Sequence, residues 1–348
     1  MVRALLSPQL RACRLEGHAT PERTYARFRR SLRAIALTTP LLGMGGCAMN
    51  WSSTCDDSES FALESDAEVP DGRNVECIRL CAGLVGGSQL NIVGCSSETL
   101  DGGEPGVVCQ WTQECPGTSG LGRRPSCLLA FASPRASSPL GEHFARAARL
   151  EAASVRAFRI MARELAVHGA PSRLVRAARR SAAEEVRHAR STRRLARRFG
   201  AEPLRARYAP VSDVRSVEAL AAENAAEGCV RETFGAAVAH WQALHAVDRR
   251  VARTLRGIAE DETRHAHLSW RVAAWAEGHL SEAARHRVAR ARAHALASLK
   301  EEIELPVADS LVRVAGLPPP PVARVILRRL EAEVMAFSTG AVFGGPSD

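Results

Sequence analysis

The chain reads as mainly α: a helical bundle with one long crossover, preceded by a small, disulfide-rich, loop-rich module. Three observations predict this. From about Gly141, apolar and Ala residues recur every three and four positions over long runs, which is the helical period. Aromatics make up only 5% of the chain, which suits helices built on Ala and Leu rather than a large β-sandwich. Seven of the ten cysteines fall between Cys55 and Cys127, in a stretch too short to build much core without staples. With 46% hydrophobic residues in a chain of 348, wholesale disorder is excluded.

Charge divides the chain further. The formal net charge is +9, and the basic residues are almost all Arg. Residues 1–46 carry +6, residues 47–133 carry −8 and residues 134–348 carry +11. The bulk value alone suggests nucleic acid or an anionic membrane. The division weakens the nucleic-acid reading, because a cut before Cys47 would remove +6 with the presequence and leave +3. The organisation read from this is a presequence (1–46), a Cys-rich module with the start of a linker (47–133), a bundle (134–280) and C-terminal helices with a tail (281–348).

Residues 1–46 show no clear amphipathic period. Arg29-Arg30-Ser31-Leu32-Arg33 precedes a short apolar stretch, Ala34–Leu42, and then Gly43-Met44-Gly45-Gly46-Cys47. A basic start, a short apolar run and small residues are the parts of a secretory signal. The run is shorter than the roughly 20 residues a bilayer span needs. The end resembles a lipoprotein cleavage box, with Met44 where Leu is usual. It implies export to the cell envelope and lipidation of Cys47 on the periplasmic side or cell surface. The bland alternative is a basic tail.

In the second segment, Cys55, Cys77, Cys81, Cys95, Cys109, Cys115 and Cys127 stand among Gly, Ser and Asp. An exported chain makes these disulfide candidates. The rival is a zinc site at Cys77-x3-Cys81; residues 47–133 contain no His, so it would need Cys ligands only. Seven is odd, which leaves one thiol over. The Pro/Ser/Ala stretch Ala132–Pro139 reads as a linker.

The third segment carries the chemistry. Helices are expected over Glu142–His168, Ser172–Phe199, Ser216–His245 and Asp248–Gly278. Gly169-Ala170-Pro171-Ser172 forms a stop followed by a cap. Residues 201–215 form a connection long enough to travel the length of a bundle. A further helix is expected over Ser281–Glu304, and a short one over Pro321–Met335 follows the break at Gly316–Pro321. These last elements either pack on the bundle or mediate contacts, including those of an oligomer.

An internal repeat is the decisive feature. Glu184-Glu185-Val186-Arg187-His188 matches Asp261-Glu262-Thr263-Arg264-His265. Glu-x-x-His puts both side chains on one face of a helix. Glu151 and Glu227 stand at matching distances upstream, so four carboxylates and two imidazoles converge at mid-bundle. Glu223 and Glu232 are rivals for Glu227. Carboxylates with one His per ion suit two first-row metals, iron foremost and manganese next. The bland alternative, six solvated side chains on Arg-rich helices, leaves the doubled register unexplained.

This pattern resembles the ferritin-like di-iron carboxylate superfamily, which includes rubrerythrin and bacterioferritin, over about 140 of the 348 residues. The resemblance implies a ferritin-like bundle and two iron ions, with Glu151, Glu185, His188, Glu227, Glu262 and His265 as ligands. It further implies that Glu184 and Asp261, each just ahead of a ligand Glu, hold the ligand histidines from outside. Phe158 and Phe234 could wall the pocket or simply pack in the core. The function expected is an oxidoreductase of the cell envelope that activates oxygen or peroxide, with an unspecified substrate. The alternatives are a ferroxidase or metal-handling protein, and a non-catalytic interaction module. A radical-forming subunit is disfavoured because neither Tyr25 nor Tyr208 lies on a ligand-bearing helix.

Overall fold

The computed structural model describes residues 21–39, 54–62, 76–77, 79–81, 91–99, 105–114, 122–128, 136–203, 205–209 and 214–335. Its elements are α1 (Pro21–Thr38), β1 (Thr54–Ala62), β2 (Asn91–Thr99), β3 (Pro105–Glu114), α2 (Pro139–Val167) and α3 (Ser172–Arg198). Then follow α4 (Val217–Glu223), a π-helical stretch (Asn224–Glu232), α5 (Thr233–His245), α6 (Arg249–Glu277), α7 (Glu282–Glu302), α8 (Asp309–Ala315) and α9 (Pro320–Leu330). The expected long helices are present, with ends displaced by at most three residues. Among the described residues no helix is long and apolar enough to cross a membrane.

The helix ends follow local chemistry. Ser138 accepts a hydrogen bond from the Gly141 N–H, with Pro139 in the first turn. Asp248 and Ser281 cap α6 and α7 in the same way, satisfying donors that a helix leaves orphaned. At the ends of α2 and α3, Gly169 (φ 72) and Gly200 (φ 81) are left-handed. There Ala170 N–H donates to Leu165 O (2.8 Å), and Ala201 N–H to Ala196 O (3.0 Å), matching closures of the glycine C-cap type.

Helices α2 and α3 form one hairpin. The α4–α5 rod and α6 form the other, and α3 meets α6. The main core gathers Phe144 and Leu195, Phe234 and Trp241, Leu255 and Trp270, with Leu299, Leu317 and Ile326 from the C-terminal segment. The C-terminal helices therefore pack on the body. Every residue of α5 from Thr233 to Ala243 is buried, as expected of a helix that is apolar all round.

Three findings correct the sequence reading. Residues 21–38, read as part of a presequence without amphipathic period, form a helix whose Phe28, Leu32, Ile35 and Ala36 belong to the main core. These recur at helical spacing, on a helix whose Arg29 and Arg33 pair with Glu260. The Cys-rich module holds a three-stranded antiparallel sheet, order β1-β3-β2, which the polar sequence of β1 concealed. The third helix is interrupted by the π-helical stretch, which changes the face that each residue presents.

The cysteines divide accordingly. Cys77 pairs with Cys95 (Cα–Cα 5.8 Å) and Cys81 with Cys109 (5.5 Å), separations suited to disulfides. Cys77 and Cys81 are one helical turn apart, and Cys95 lies opposite Cys109 in the sheet. One turn of chain is thus pinned to two neighbouring strands. Cys127, expected among the disulfides, is instead a buried free thiol, as is Cys229. Cys47 and Cys115, and the side chain of Cys55, lie outside the described residues.

Candidate metal centre

Glu151 comes from α2, Glu185 and His188 from α3, and Glu262 and His265 from α6. The first four include Glu262 and each offer a ligand atom within 4.8 Å of the others. His188 Nδ1 stands 3.5 Å from Glu151, 3.4 Å from Glu185 and 3.3 Å from Glu262. His265 Nδ1 stands 3.2 Å from Glu185 and 3.7 Å from Glu262. All five side chains are buried. Glu185 and Glu262 lie between the two imidazoles.

The outer faces of the imidazoles are tied crosswise. His188 Nε2 on α3 lies 2.9 Å from Asp261 on α6, and His265 Nε2 on α6 lies 2.9 Å from Glu184 on α3. A carboxylate at Nε2 keeps the proton there, so each Nδ1 lone pair is directed inward. Arg264 bonds Glu184 (2.8 Å) and also Asp261, keeping both acids ionised acceptors.

Inside the ring the polar groups are unsatisfied. Both oxygens of Glu151, Glu185 and Glu262, and Nδ1 of both histidines, are buried without a hydrogen-bond partner. Three buried carboxylates facing one another are costly unless cations neutralise them. Burial, with the Glu185 charge beside it, pushes the Glu151 carboxyl well above its ordinary range. Burial opposes charge on the histidines. The carboxylates outweigh it, Glu151 and Asp261 at His188, Glu184 and Glu185 at His265, and both pKa values rise. The ring collects positive charge: protons when no cation is present, metal when one is. Its donor set of oxygen and imidazole fits first-row divalent ions.

Glu227 does not join the ring. Its carboxylate accepts from the Arg124 N–H (2.9 Å) and faces Arg231. The fully buried carboxylate on this rod is Glu232, five residues on, a spacing that brings residues together in a π-helix. Glu232 is held by Arg123, whose Nη2 lies 2.9 Å and Nε 3.2 Å from its oxygens. The same guanidinium donates to Ser269 (2.8 Å) and Asn224 (3.3 Å) and lies 5.0 Å from the Phe158 ring. Phe158 in turn packs 5.0 Å from His265. A cation from the Cys-rich segment thus stands one aromatic ring away from a candidate ligand.

Two glycines admit it. Gly122 is left-handed (φ 90), and a Cβ there would come within 2.9 Å of Leu150 and Ser154. A Cβ on Gly228 would collide with Arg123 Nη2 and Ser269. The sequence marked Glu232 only as a rival and did not mark Arg123; nothing in Gly122-Arg123-Arg124 distinguishes the buried arginine from its neighbour. Phe158 lines the centre, whereas Phe234 lies in the main core. His267 sits against Tyr25 and Phe28, and His168 bonds Arg215 O, so neither joins the ring. Compared with known proteins, the chain matches no family model, no curated protein and no solved structure.

Proposed function

We propose that the chain is a ferritin-like protein with a dinuclear iron or manganese centre, acting as an oxidoreductase on oxygen or peroxide. The observation that carries this is the set of eight buried, unpartnered ligand atoms on Glu151, Glu185, His188, Glu262 and His265. His188 and Glu151 would hold one ion, His265 the other, and Glu185 with Glu262 would be shared between them. Bound iron would supply the electrons that reduce oxygen or peroxide. Asp261 and Glu184 keep both imidazoles in the ligating tautomer. Phe158 shields the His265 side from water. With Glu227 turned away and Glu232 held by Arg123, the His265 side would offer one carboxylate fewer than the His188 side.

The full chain loaded anaerobically with ferrous iron should hold about two ions, measured by elemental analysis. Glu185→Ala with Glu262→Ala should abolish this. A wild-type chain that takes up no metal overturns the reading. Oxygen consumption that turns over iron with no other reductant would instead identify a ferroxidase.

Location in an oxidising compartment belongs to the same proposal, supported by the two cysteine pairs at disulfide separation. Lipidation of Cys47 requires cleavage that removes α1. The burial of α1 weighs against that step.

A further inference from the structure

Helix α1 packs on α5 and α6 and runs antiparallel to α6. Tyr25 meets His267, with 5.3 Å between ring centres, and Arg33, two turns on, pairs with Glu260. Helix α5 is antiparallel to α6 as well, with Trp270 bonded to Thr233 (3.1 Å) and His240 to Thr263 (3.0 Å). So α1 and α5 run the same way, and the Arg33 and Glu260 charges both act on His240. One helical turn further on, Leu37 and Leu244 come to the same end of the body. Each is more than half exposed. Val247, in the short connection between α5 and α6, belongs to this end too and is 77% exposed.

Exposed arginines flank these aliphatic residues. Arg256 and Arg253 continue the Glu260 face of α6 past the end of α1, and Arg249 and Arg250 open α6 beside Val247. Arg313 on α8 accepts from the Val247 N–H at its carbonyl (3.1 Å). All five arginines are exposed. Among the acids of this end, Asp248 pairs with Arg198, Glu260 pairs with Arg29 and Arg33, and Asp309 is exposed at the start of α8. Basic residues thus outnumber acidic ones among the described residues here. The chain also leaves α1 at this end, and the sequence after Thr39 is apolar, Pro40-Leu41-Leu42-Gly43-Met44.

We infer that this end of the body docks on the surface of an anionic lipid bilayer. A single exposed aliphatic side chain is ordinary; three at one end, flanked by arginines, are the combination that an anionic membrane interface takes up. The guanidinium groups meet the lipid phosphates, and the aliphatic side chains enter the layer beneath them. A fluid surface needs no matching shape, which suits a residue as exposed as Val247. This attachment keeps α1 in place, needs no cleavage before Cys47 and no lipid on it, and does not involve the metal centre.

The test is co-sedimentation of the full, unlipidated chain with vesicles. One set is phosphatidylcholine alone; the other is equal parts phosphatidylcholine and phosphatidylglycerol. The chain should sediment with the anionic vesicles, far less with the neutral ones, and less as salt is raised. Leu244→Ser with Val247→Ser should weaken binding about ten-fold. Arg249→Gln with Arg250→Gln should weaken it about five-fold for each arginine. Both pairs lie far in sequence from Leu41 and Leu42, so they report on the folded surface and not on that segment alone. Val167→Ser, an exposed aliphatic residue at the other end of α2, should change nothing. No sedimentation with anionic vesicles, equal sedimentation with both kinds, or loss no greater in the two double variants than in Val167→Ser overturns the inference. So does a wild-type dimer in light scattering that Leu244→Ser with Val247→Ser converts to monomer, because a second copy then occupies this end. The replaced residues are exposed, and two separate variants are read, so a loss of fold in one leaves the other as the test.

Discussion

Arg123 shows how much a single side chain can carry. Its guanidinium and the Glu232 carboxylate are both fully buried, so each neutralises a charge that would otherwise be stranded. Arg123→Ala should cost about 3–5 kcal/mol, the penalty of leaving a buried partner unpaired. Chemical denaturation of the full chain measures it. Arg123→Met with Glu232→Met removes both charges and should recover most of that loss. An Arg123→Ala variant as stable as wild type would mean that water reaches Glu232. Gly228→Ala tests the same packing from the opposite side: its methyl would displace Arg123 Nη2 and should destabilise in the same direction.

At the scale of elements, α1 and α6 lend themselves to measurement. Leu32 of α1 is fully buried in the main core, so Leu32→Ala should cost about 2–5 kcal/mol, read from a denaturation midpoint. An effect near zero would mean that α1 does not pack as a core helix. The cap of α6 gives a pH-dependent case. Asp248 accepts from the Arg250 and Val251 N–H groups and pairs with Arg198 at 2.7 Å. Its bond to Arg198, with the backbone donors, pulls its carboxyl down to about 2, below the ordinary value near 3.9. A depressed folded pKa stabilises above the unfolded value and is lost as pH falls through the folded one. Asp248→Ala should therefore cost about 1 kcal/mol at neutral pH. The gap to wild type should hold down to about pH 4 and close toward pH 2. A gap that narrows already between pH 7 and 5 contradicts this assignment.

Over the whole molecule, the helical body is built from more of the chain than its long helices. Leu32 and Ile35 from α1, Arg123 from the Cys-rich segment and Ile326 from α9 are all buried with it. Removing residues 1–38 would uncover the faces of α5 and α6 on which α1 lies. The intact mass of the protein isolated from its native host should accordingly retain residues 21–38. A mass beginning at Cys47 with an added lipid would establish the lipoprotein reading and show that the body folds without α1. Metal offers a second global readout: iron or manganese should raise the unfolding temperature of wild type, because it binds only the folded ring. It should leave Glu185→Ala with Glu262→Ala unmoved.

Much of this was legible along the chain. Glu-x-x-His repeated at Glu185 and Glu262, with Glu151 upstream, foretold a ring that the structure brings together, because α-helical periodicity is local and rigid over a few turns. Gly169 and Gly200 announced the helix ends for the same reason. Glu227 failed the same arithmetic because a π-helical stretch, set by packing around Gly228 and Arg123, breaks the 3.6-residue count. The burial of α1 and the choice of Arg123 over Arg124 depend on which surfaces meet. Such meetings join residues far apart in sequence, so local spacing determined the helices and most of the ligand ring. Only the tertiary structure decided what covers them and what neutralises Glu232.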